Sequence, residues 1–195
     1  MGGKALFVIR HFIKDHMTQQ RENYFVEFNK EKHFRGKVKW KNVNNLTGED
    51  FLWEILEPMS IMIKDAKYEV SRVKRLSPNQ KALHFFWYLD GQVTNGGFIQ
   101  FYFNGYEVYL PSLKSGLELI GYKDLLKRVI KSENEYDKHK IEFDKMRKKG
   151  DLERLYDDLT EFEKMDNWYY KNQEKHYSIV ENFVRLNIDD FIIKI

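Results

Sequence analysis

The sequence has no cysteine among its 195 residues. That absence excludes a disulfide framework, thiolate metal sites and cysteine nucleophiles. It also lacks any apolar run close to the roughly 20 residues that a membrane-spanning helix needs. The short apolar run near the start is interrupted by Arg10 and His11 and has no small-residue cleavage site, so we do not expect a secretory signal. The sequence therefore predicts a cytoplasmic protein without a membrane partner.

Recognisable catalytic and metal-binding patterns are missing as well. The six histidines form no pair at metal-ligand spacing, and there is no HExxH motif. The glycine pair Gly96-Gly97 belongs neither to a P-loop nor to a dinucleotide-binding fingerprint. His84 lies in an aromatic run, where a hydrogen-bonded core histidine is the simpler interpretation. The sequence alone assigns no catalytic residue and no metal site.

Aromatic residues are abundant: 15 Phe, 12 Tyr and 4 Trp make up 16% of the chain. Each buried ring removes a large apolar area from water, so this content favours a packed core over disorder. The chain length suits a single domain with an appendage. Charged residues make up 32% of the chain, which indicates a heavily solvated surface.

The first 46 residues differ in amino-acid composition from the rest of the chain. They are basic, whereas the remainder of the chain is mildly acidic. Short runs rich in aromatic and β-branched residues occur at Ala5–Ile13, Asn23–Phe28 and Lys37–Trp40. We predict a small antiparallel β element in an N-terminal extension over 1–46, although Ala5–Ile13 also suits a short helix. Its lysines form either a solvated face or a contact with an acidic partner.

Residues 47–195 show apolar positions at helical spacing, and the predicted fold is mainly α, a single helical domain. Thr47 and Asp50 approximate a capping box at its first helix. We expect Pro58 to break or kink that helix. The charged stretch Lys67–Arg75 is interpreted as a connection between helices.

The stretch Ser77–Asn104 carries the strongest local signals. Ser77, Pro78 and Gln80 form a capping box with proline at the first helical position. The helix that follows is apolar on nearly all sides, which is typical of a central helix. Asn95-Gly96-Gly97 tolerates positive φ and predicts a sharp reversal, after which Phe98–Phe103 is expected to be a short helix, with a strand as the alternative.

Four polar residues lie among these aromatics, where an unpaired polar group is costly: Asp90, Asn95, Gln100 and Asn104. One interpretation is that they cap helix ends and, with Gly96 and Gly97, brace the turn. The other is a polar pocket for a small ligand, an enzyme's substrate or a partner's peptide. Buried, fully bonded side chains favour the first interpretation, and an open concave site favours the second.

A second candidate for a functional site is the acidic stretch 150–167. It contains seven carboxylates and only two basic residues, Arg154 and Lys164. On a single helix, Asp157 and Glu161 share a face. Such a row is either an ordinary solvated face or an anionic stripe that meets a basic partner as a phosphate backbone does. The predicted partner-binding residues are Asp151, Glu153, Asp157, Asp158, Glu161 and Glu163.

The run from Leu76 to Asn104 resembles the signature of the bacterial DNA-mimic protein family and its relatives of unknown function. The similar positions are Leu76, Ser77, Gln80, Ala82, Asp90, the block Asn95-Gly96-Gly97-Phe98, Gln100, Phe101 and Asn104. The resemblance covers the chain from about Phe51 onward. The resemblance implies a mostly helical domain without a cofactor. In the family's named member, which is dimeric, an acidic surface occupies the DNA-binding face of a transcription factor.

We therefore expect a non-enzymatic protein-binding module. Its partner is another protein, either a basic nucleic-acid-binding protein or a toxin that the chain neutralises as an immunity protein. We do not expect direct binding to nucleic acid. The sequence does not decide between a monomer and a homodimer. A small-ligand or enzymatic pocket around Asp90, Asn95, Gln100 and Asn104 remains the alternative.

Overall fold

A computed structural model describes residues 23–195, and within them the fold is mainly α. The helices are α1 (Trp40–Val43), α2 (Gly48–Ile63), α3 (Ala66–Val73), α4 (Pro78–Phe103), α5 (Leu110–Ile120), α6 (Lys123–Lys149), α7 (Glu153–Asp158), α8 (Glu163–Lys171), α9 (Gln173–Leu186) and α10 (Ile188–Phe191). Single 3-10 turns occur at Lys30–Lys32, Tyr106–Tyr109 and Thr160–Phe162. No helix among the described residues has the length and apolar character to cross a membrane.

Helix α4 is the centre of the core, as its apolar sequence predicts. Nearly every residue from Gln80 to Val93 is buried. The predicted capping box is present: the Gln80 amide N–H donates to Ser77 Oγ at 3.2 Å, and the Ser77 amide N–H donates to Gln80 Oε1 at 2.9 Å. These bonds satisfy two of the amides that a helix start leaves unpaired.

The expected turn at Asn95-Gly96-Gly97 is a kink within α4. Gly96 (φ −166°, ψ 33°) and Gly97 (φ 69°, ψ −176°) leave helical geometry, and the helix resumes from Phe98 to Phe103. The short helix predicted there is confirmed, and its strand alternative is wrong. Gly97 has a positive φ, which an L side chain rarely adopts, so glycine suits this position.

Helix α5 packs closely on α4. A Cβ added at Gly116 would lie 3.0 Å from the Cα of Ala82 and 3.4 Å from its Cβ, so the two helices meet at small residues. The long helix α6 brings further rings to α4. Tyr136 of α6 stacks on Tyr102 of α4 with centroids 4.3 Å apart and planes 8° apart. The buried aromatic residues within 23–195 thus belong to one hydrophobic core.

The β element differs from the prediction. Strand β1 (Gly36–Val38) pairs in parallel with β2 (Ile192–Lys194) at the far end of the described chain. The antiparallel interpretation is therefore wrong, because Asn23–Phe28 forms turns in place of a strand. The run Ala5–Ile13 lies outside the described residues. A division of the chain at residue 46 stays a prediction.

Three other expectations along α2 and α3 need correction. Pro58 does not break α2, which continues from Gly48 to Ile63. Thr47 precedes α2 but makes no side-chain cap; the Gly48 amide N–H donates instead to Glu181 Oε2 of α9 at 2.5 Å. The stretch interpreted as a connection contains α3, Ala66–Val73. The helix buries Glu69 and Val73. The hydrogen-bond partners of Glu69 lie 15 to 40 residues further along the chain and give no local signal.

Candidate functional site

The acidic stretch wraps over the core as three short elements, α7, the 3-10 turn Thr160–Phe162 and α8. Its apolar side chains Leu155, Leu159, Phe162 and Met165 are all buried. The six carboxylates predicted to bind a partner are all exposed: Asp151, Glu153, Asp157, Asp158, Glu161 and Glu163. We call these six residues the acidic surface and the range 151–163 the acidic segment.

The acidic segment is not the single helix on which the sequence argument relied. Leu159, with φ −118° and ψ 62°, ends α7 and precedes the 3-10 turn. Asp157 and Glu161 therefore do not share one helix face at i, i+4 spacing, and that expectation is wrong. The buried Leu159 explains the break, because the chain turns inward there to pack an apolar side chain. The carboxylates are distributed around a bend.

Few cations neutralise the acidic surface. Arg154 Nε lies 2.7 Å from Asp158 Oδ2, and its backbone amide donates to Asp151 Oδ1 at 3.2 Å. Both side chains of that ion pair are about half exposed, so the pair is worth little. Within residues 23–195 no ion pair involves Asp157, Glu161 or Glu163. Asp158 is therefore the only one of the six carboxylates that forms an ion pair within residues 23–195, although the exposed Lys164 follows Glu163 in the chain.

A further carboxylate of α8, Asp166, enters the kink of α4. Its Oδ1 accepts a hydrogen bond from the Phe98 amide at 2.8 Å. Phe98 begins the helical turn after the kink, so Asp166 acts as a cap supplied by another helix. Burial raises the pKa of Asp166 to about 6, although the hydrogen bond from Phe98 lowers it in part.

Two tyrosines join the acidic segment and α8 to the same kink. The Tyr156 hydroxyl of α7 donates to the Gly96 carbonyl at 2.6 Å. The Tyr170 hydroxyl of α8 donates to the Val93 carbonyl at 3.0 Å. Both carbonyls lie where the α4 hydrogen-bond ladder is interrupted and need outside partners. Their rings are 37% and 43% exposed, so each tyrosine is both an anchor and part of the surface.

The structure does not bring the four predicted pocket residues to one point. Asp90 is buried and accepts hydrogen bonds from Tyr169 at 2.8 Å and Tyr177 at 3.0 Å. Asn95 is exposed and donates to the Gly91 carbonyl at 2.5 Å. Each of these two residues has its own partners in the core or along the helix.

The other two members of that group do meet. Gln100 and Asn104 both donate to Gln92 Oε1, at 3.3 and 2.7 Å. Gln92 is buried, and sequence reasoning did not single it out. These side chains brace the two halves of the kinked helix, because Gln92 precedes the kink while Gln100 and Asn104 follow it.

Sequence reasoning also missed a buried carboxylate, Glu69 of α3. It accepts hydrogen bonds from the hydroxyls of Tyr88 and Tyr109, each at 2.5 Å, and lies 3.3 Å from His84 Nε2. His84 is thus the bonded core histidine that its context indicates. Glu69 stands in a charged stretch, and nothing in its neighbours distinguishes it from a solvated residue.

Comparison with known proteins shows the family to which the chain belongs. The model of the family described as DMP19-like protein matches residues 74–187, more than half of the chain. A relative, DNA mimic protein DMP19 of Neisseria meningitidis serogroup B, is 30% identical over 119 residues, which are 60% of this chain and 72% of the relative. The chain belongs to the DMP19-like protein family.

The match places the candidate site inside the family's region. Helices α4 to α9 lie within residues 74–187, including the kink, Asp166 and the acidic surface. Helices α1 to α3 and both strands lie outside it. The resemblance noted in the sequence is therefore confirmed at the level of the family, and it covers the part of the chain that carries the exposed carboxylates.

Proposed function

We propose that this chain is a non-enzymatic protein-binding module that occupies the basic, DNA-binding surface of a partner protein. The observation that carries the proposal is the acidic surface: six exposed carboxylates on a segment whose apolar side chains are buried. Membership of the DMP19-like family and the DNA-mimic name of the Neisseria relative support this direction. The partner is a nucleic-acid-binding protein whose lysines and arginines normally contact phosphates.

The near-neutral charge of the whole chain is compatible with this role. Ionic screening limits the reach of exposed charges to about 10 Å at 0.1 M salt. A partner docked on the acidic surface therefore responds mainly to the six carboxylates and to the two cations beside them, Arg154 and Lys164, and much less to the lysines on distant helices. Duplex DNA likewise presents closely spaced charges along its own surface. Local charge density decides this interaction, and net charge contributes little.

A binding role also accounts for the titratable groups better than catalysis does. The two carboxylates whose pKa is raised to about 6, Asp90 and Asp166, are engaged inside the protein. Asp90 is 4% exposed and bonded to two tyrosines, and Asp166 caps the helix after the kink. Hydrogen bonds inside the protein therefore account for both carboxylates without a catalytic role.

The experiment is affinity capture on the immobilised full chain from a lysate of the native cell, followed by elution with duplex DNA. A partner whose DNA-binding face is occupied should be released by DNA. The triple variant Asp157→Asn, Glu161→Gln, Glu163→Gln should retain roughly tenfold less of it, since three ion pairs of roughly 0.5 kcal/mol each add to about that factor.

The matched control neutralises three exposed carboxylates away from the acidic surface: Glu57 of α2, Glu118 of α5 and Glu174 of α9. It carries the same change in net charge as the triple variant and should retain the partner. Equal retention by the wild type and the triple variant, or a captured protein that DNA does not release, contradicts the proposal.

A further inference from the structure

The acidic segment is held on the core at the α4 kink, and the glycines there leave the space for it. A Cβ added at Gly97 would lie 2.6 Å from the Asp166 carboxylate carbon and 2.9 Å from Oδ1. One added at Gly96 would meet Gln100 Oε1 of α4 itself and would lie 2.7 Å from the Tyr156 hydroxyl. The kink is therefore a socket in which Gly97 leaves room for Asp166, while Gly96 leaves room for both Gln100 and Tyr156.

Asp166 fits this socket through both its length and its acceptor atom. Its Oδ1 reaches the Phe98 amide at 2.8 Å with the carboxylate against the Gly97 backbone. A glutamate is one methylene longer, so its carboxylate would not stand where Asp166 meets the Phe98 amide. An alanine leaves the Phe98 amide without its partner, which costs stability at a helix start. An asparagine keeps an oxygen acceptor of the same reach.

We propose that Asp166 is the positioning residue of the acidic surface: seated in the Gly96-Gly97 socket, it fixes where α7 and α8 stand on α4. The inference deepens the proposed function and rests on it for the effect on partner binding. Asp166 acts through the placement of Asp157, Glu161 and Glu163, which are exposed while Asp166 is partly buried. The Asn-Gly-Gly-Phe block thereby links the fold's central helix to the surface that binds.

Asp166 affects partner binding because it keeps the acidic segment rigid. The acidic segment is made of one six-residue helix and a 3-10 turn, elements too short to hold their shape alone. A partner's cations gain most from carboxylates that already stand at matching positions, because ordering them on binding costs affinity. Removing the anchor leaves the same charges on a segment with more freedom.

Distance measurement by electron paramagnetic resonance tests the placement directly. The chain has no native cysteine, so spin labels at Glu161→Cys in the acidic segment and Glu118→Cys on α5 are unique. We expect one narrow distance distribution in this background and in Asp166→Asn, which keeps the acceptor for the Phe98 amide. In Asp166→Ala we expect a broader or shifted distribution.

Tyr156→Phe is the second variant, in case Asp166→Ala lowers stability generally. It removes only the hydroxyl that donates to the Gly96 carbonyl and keeps the ring. We expect it to broaden the distribution as well, and circular dichroism should show retained helix content. A distribution in Asp166→Ala as narrow as in the wild type overturns the proposal. A distribution in Asp166→Asn as broad as in Asp166→Ala does so too, because the hydrogen-bond acceptor is then not what positions the segment.

Affinity capture supplies the functional readout. Each column carries immobilised Asp166→Ala or Asp166→Asn, is loaded with the same lysate and is eluted with duplex DNA. We expect Asp166→Asn to release as much protein as the wild type within about twofold, and Asp166→Ala to release roughly tenfold less. Equal losses in both variants overturn the positioning role, because they make Asp166 a direct charge contact. If DNA releases nothing even from the wild-type column, the proposed function fails, while the distance distributions still decide the role of Asp166.

Discussion

At the scale of single residues, the carboxylates of this protein divide into an exposed set that carries charge outward and an internal set bonded to hydroxyls and amides. Asp90 is the clearest internal case. Burial raises its pKa from 3.8 to about 6, while hydrogen bonds from Tyr169 and Tyr177 pull it back down. At neutral pH the folded protein therefore holds a buried charge at a cost in stability.

The free energy of unfolding depends on pH because the pKa of Asp90 differs between the folded and the unfolded state. The folded state binds a proton at Asp90 below about pH 6, whereas the unfolded chain does so only near its ordinary value of 3.8. This residue therefore raises the free energy of unfolding as the pH falls from 7 to 4. A shift of this size corresponds to at most about 3 kcal/mol. His176, whose pKa burial lowers to about 4, acts in the opposite direction.

Asp90→Asn isolates the contribution of this residue. We expect the loss of stability caused by the substitution, measured by urea unfolding, to be larger at pH 5 than at pH 7.5, because only the wild type gains from protonation. The exposed Asp157→Asn is the matched control and should have the same small effect at both pH values. A loss from Asp90→Asn that is independent of pH contradicts the assignment.

Residue roles were predictable where the partner is close in sequence. The Ser77–Gln80 capping box spans three residues and could be read directly from the chain. Asp166 caps Phe98 from 68 residues away, and Glu69 meets Tyr109 from 40 residues away. No local pattern encodes such a pairing. These roles depend on tertiary structure, so the sequence alone did not reveal them.

At the scale of secondary-structure elements, the contact between α4 and α5 depends on small side chains. Gly116 of α5 faces the backbone of Ala82 in α4, with 3.0 Å between the added Cβ position and the Ala82 Cα. A backbone neighbour at that distance cannot rotate away. The two helices must therefore separate to admit even one methyl group.

Two glycine-to-alanine substitutions in these helices should consequently have opposite signs. Gly116→Ala should lower the free energy of unfolding by roughly 1–3 kcal/mol, as overpacking does. Gly91→Ala, in α4 with nothing within 4 Å of the added Cβ, should raise it by roughly 0.5–1 kcal/mol through helix propensity. Chemical denaturation of both variants measures this, and destabilisation by Gly91→Ala or a neutral Gly116→Ala would count against the packing account.

Elements were predicted well where periodicity and caps agree, as at the start of α4, where Ser77 and Gln80 form the predicted capping box. They were predicted poorly where distant packing decides. Helix α7 ends at Leu159 because that side chain is buried, although the surrounding sequence continues to favour helix. Strand β1 finds its partner at 192–194, which no pattern within 1–46 indicates.

At the scale of the whole molecule, the central helix and the acidic surface are parts of one arrangement. The kinked α4 forms the core, its glycines admit Asp166, and the acidic segment lies over the core with its carboxylates outward. Sequence composition showed that carboxylates are concentrated there. Their exposure and their connection to the kink needed the three-dimensional structure.

The proposed function requires that the acidic surface and DNA compete for one face of a partner. Competition between this protein and labelled duplex DNA for the purified DNA-eluted partner, followed by fluorescence anisotropy, tests it most directly. We expect complete displacement of the DNA by the wild type, an affinity for the partner that weakens as salt rises, and a roughly tenfold weaker affinity for the triple variant. A stable ternary complex, in which the partner holds DNA and this protein at once, would contradict it.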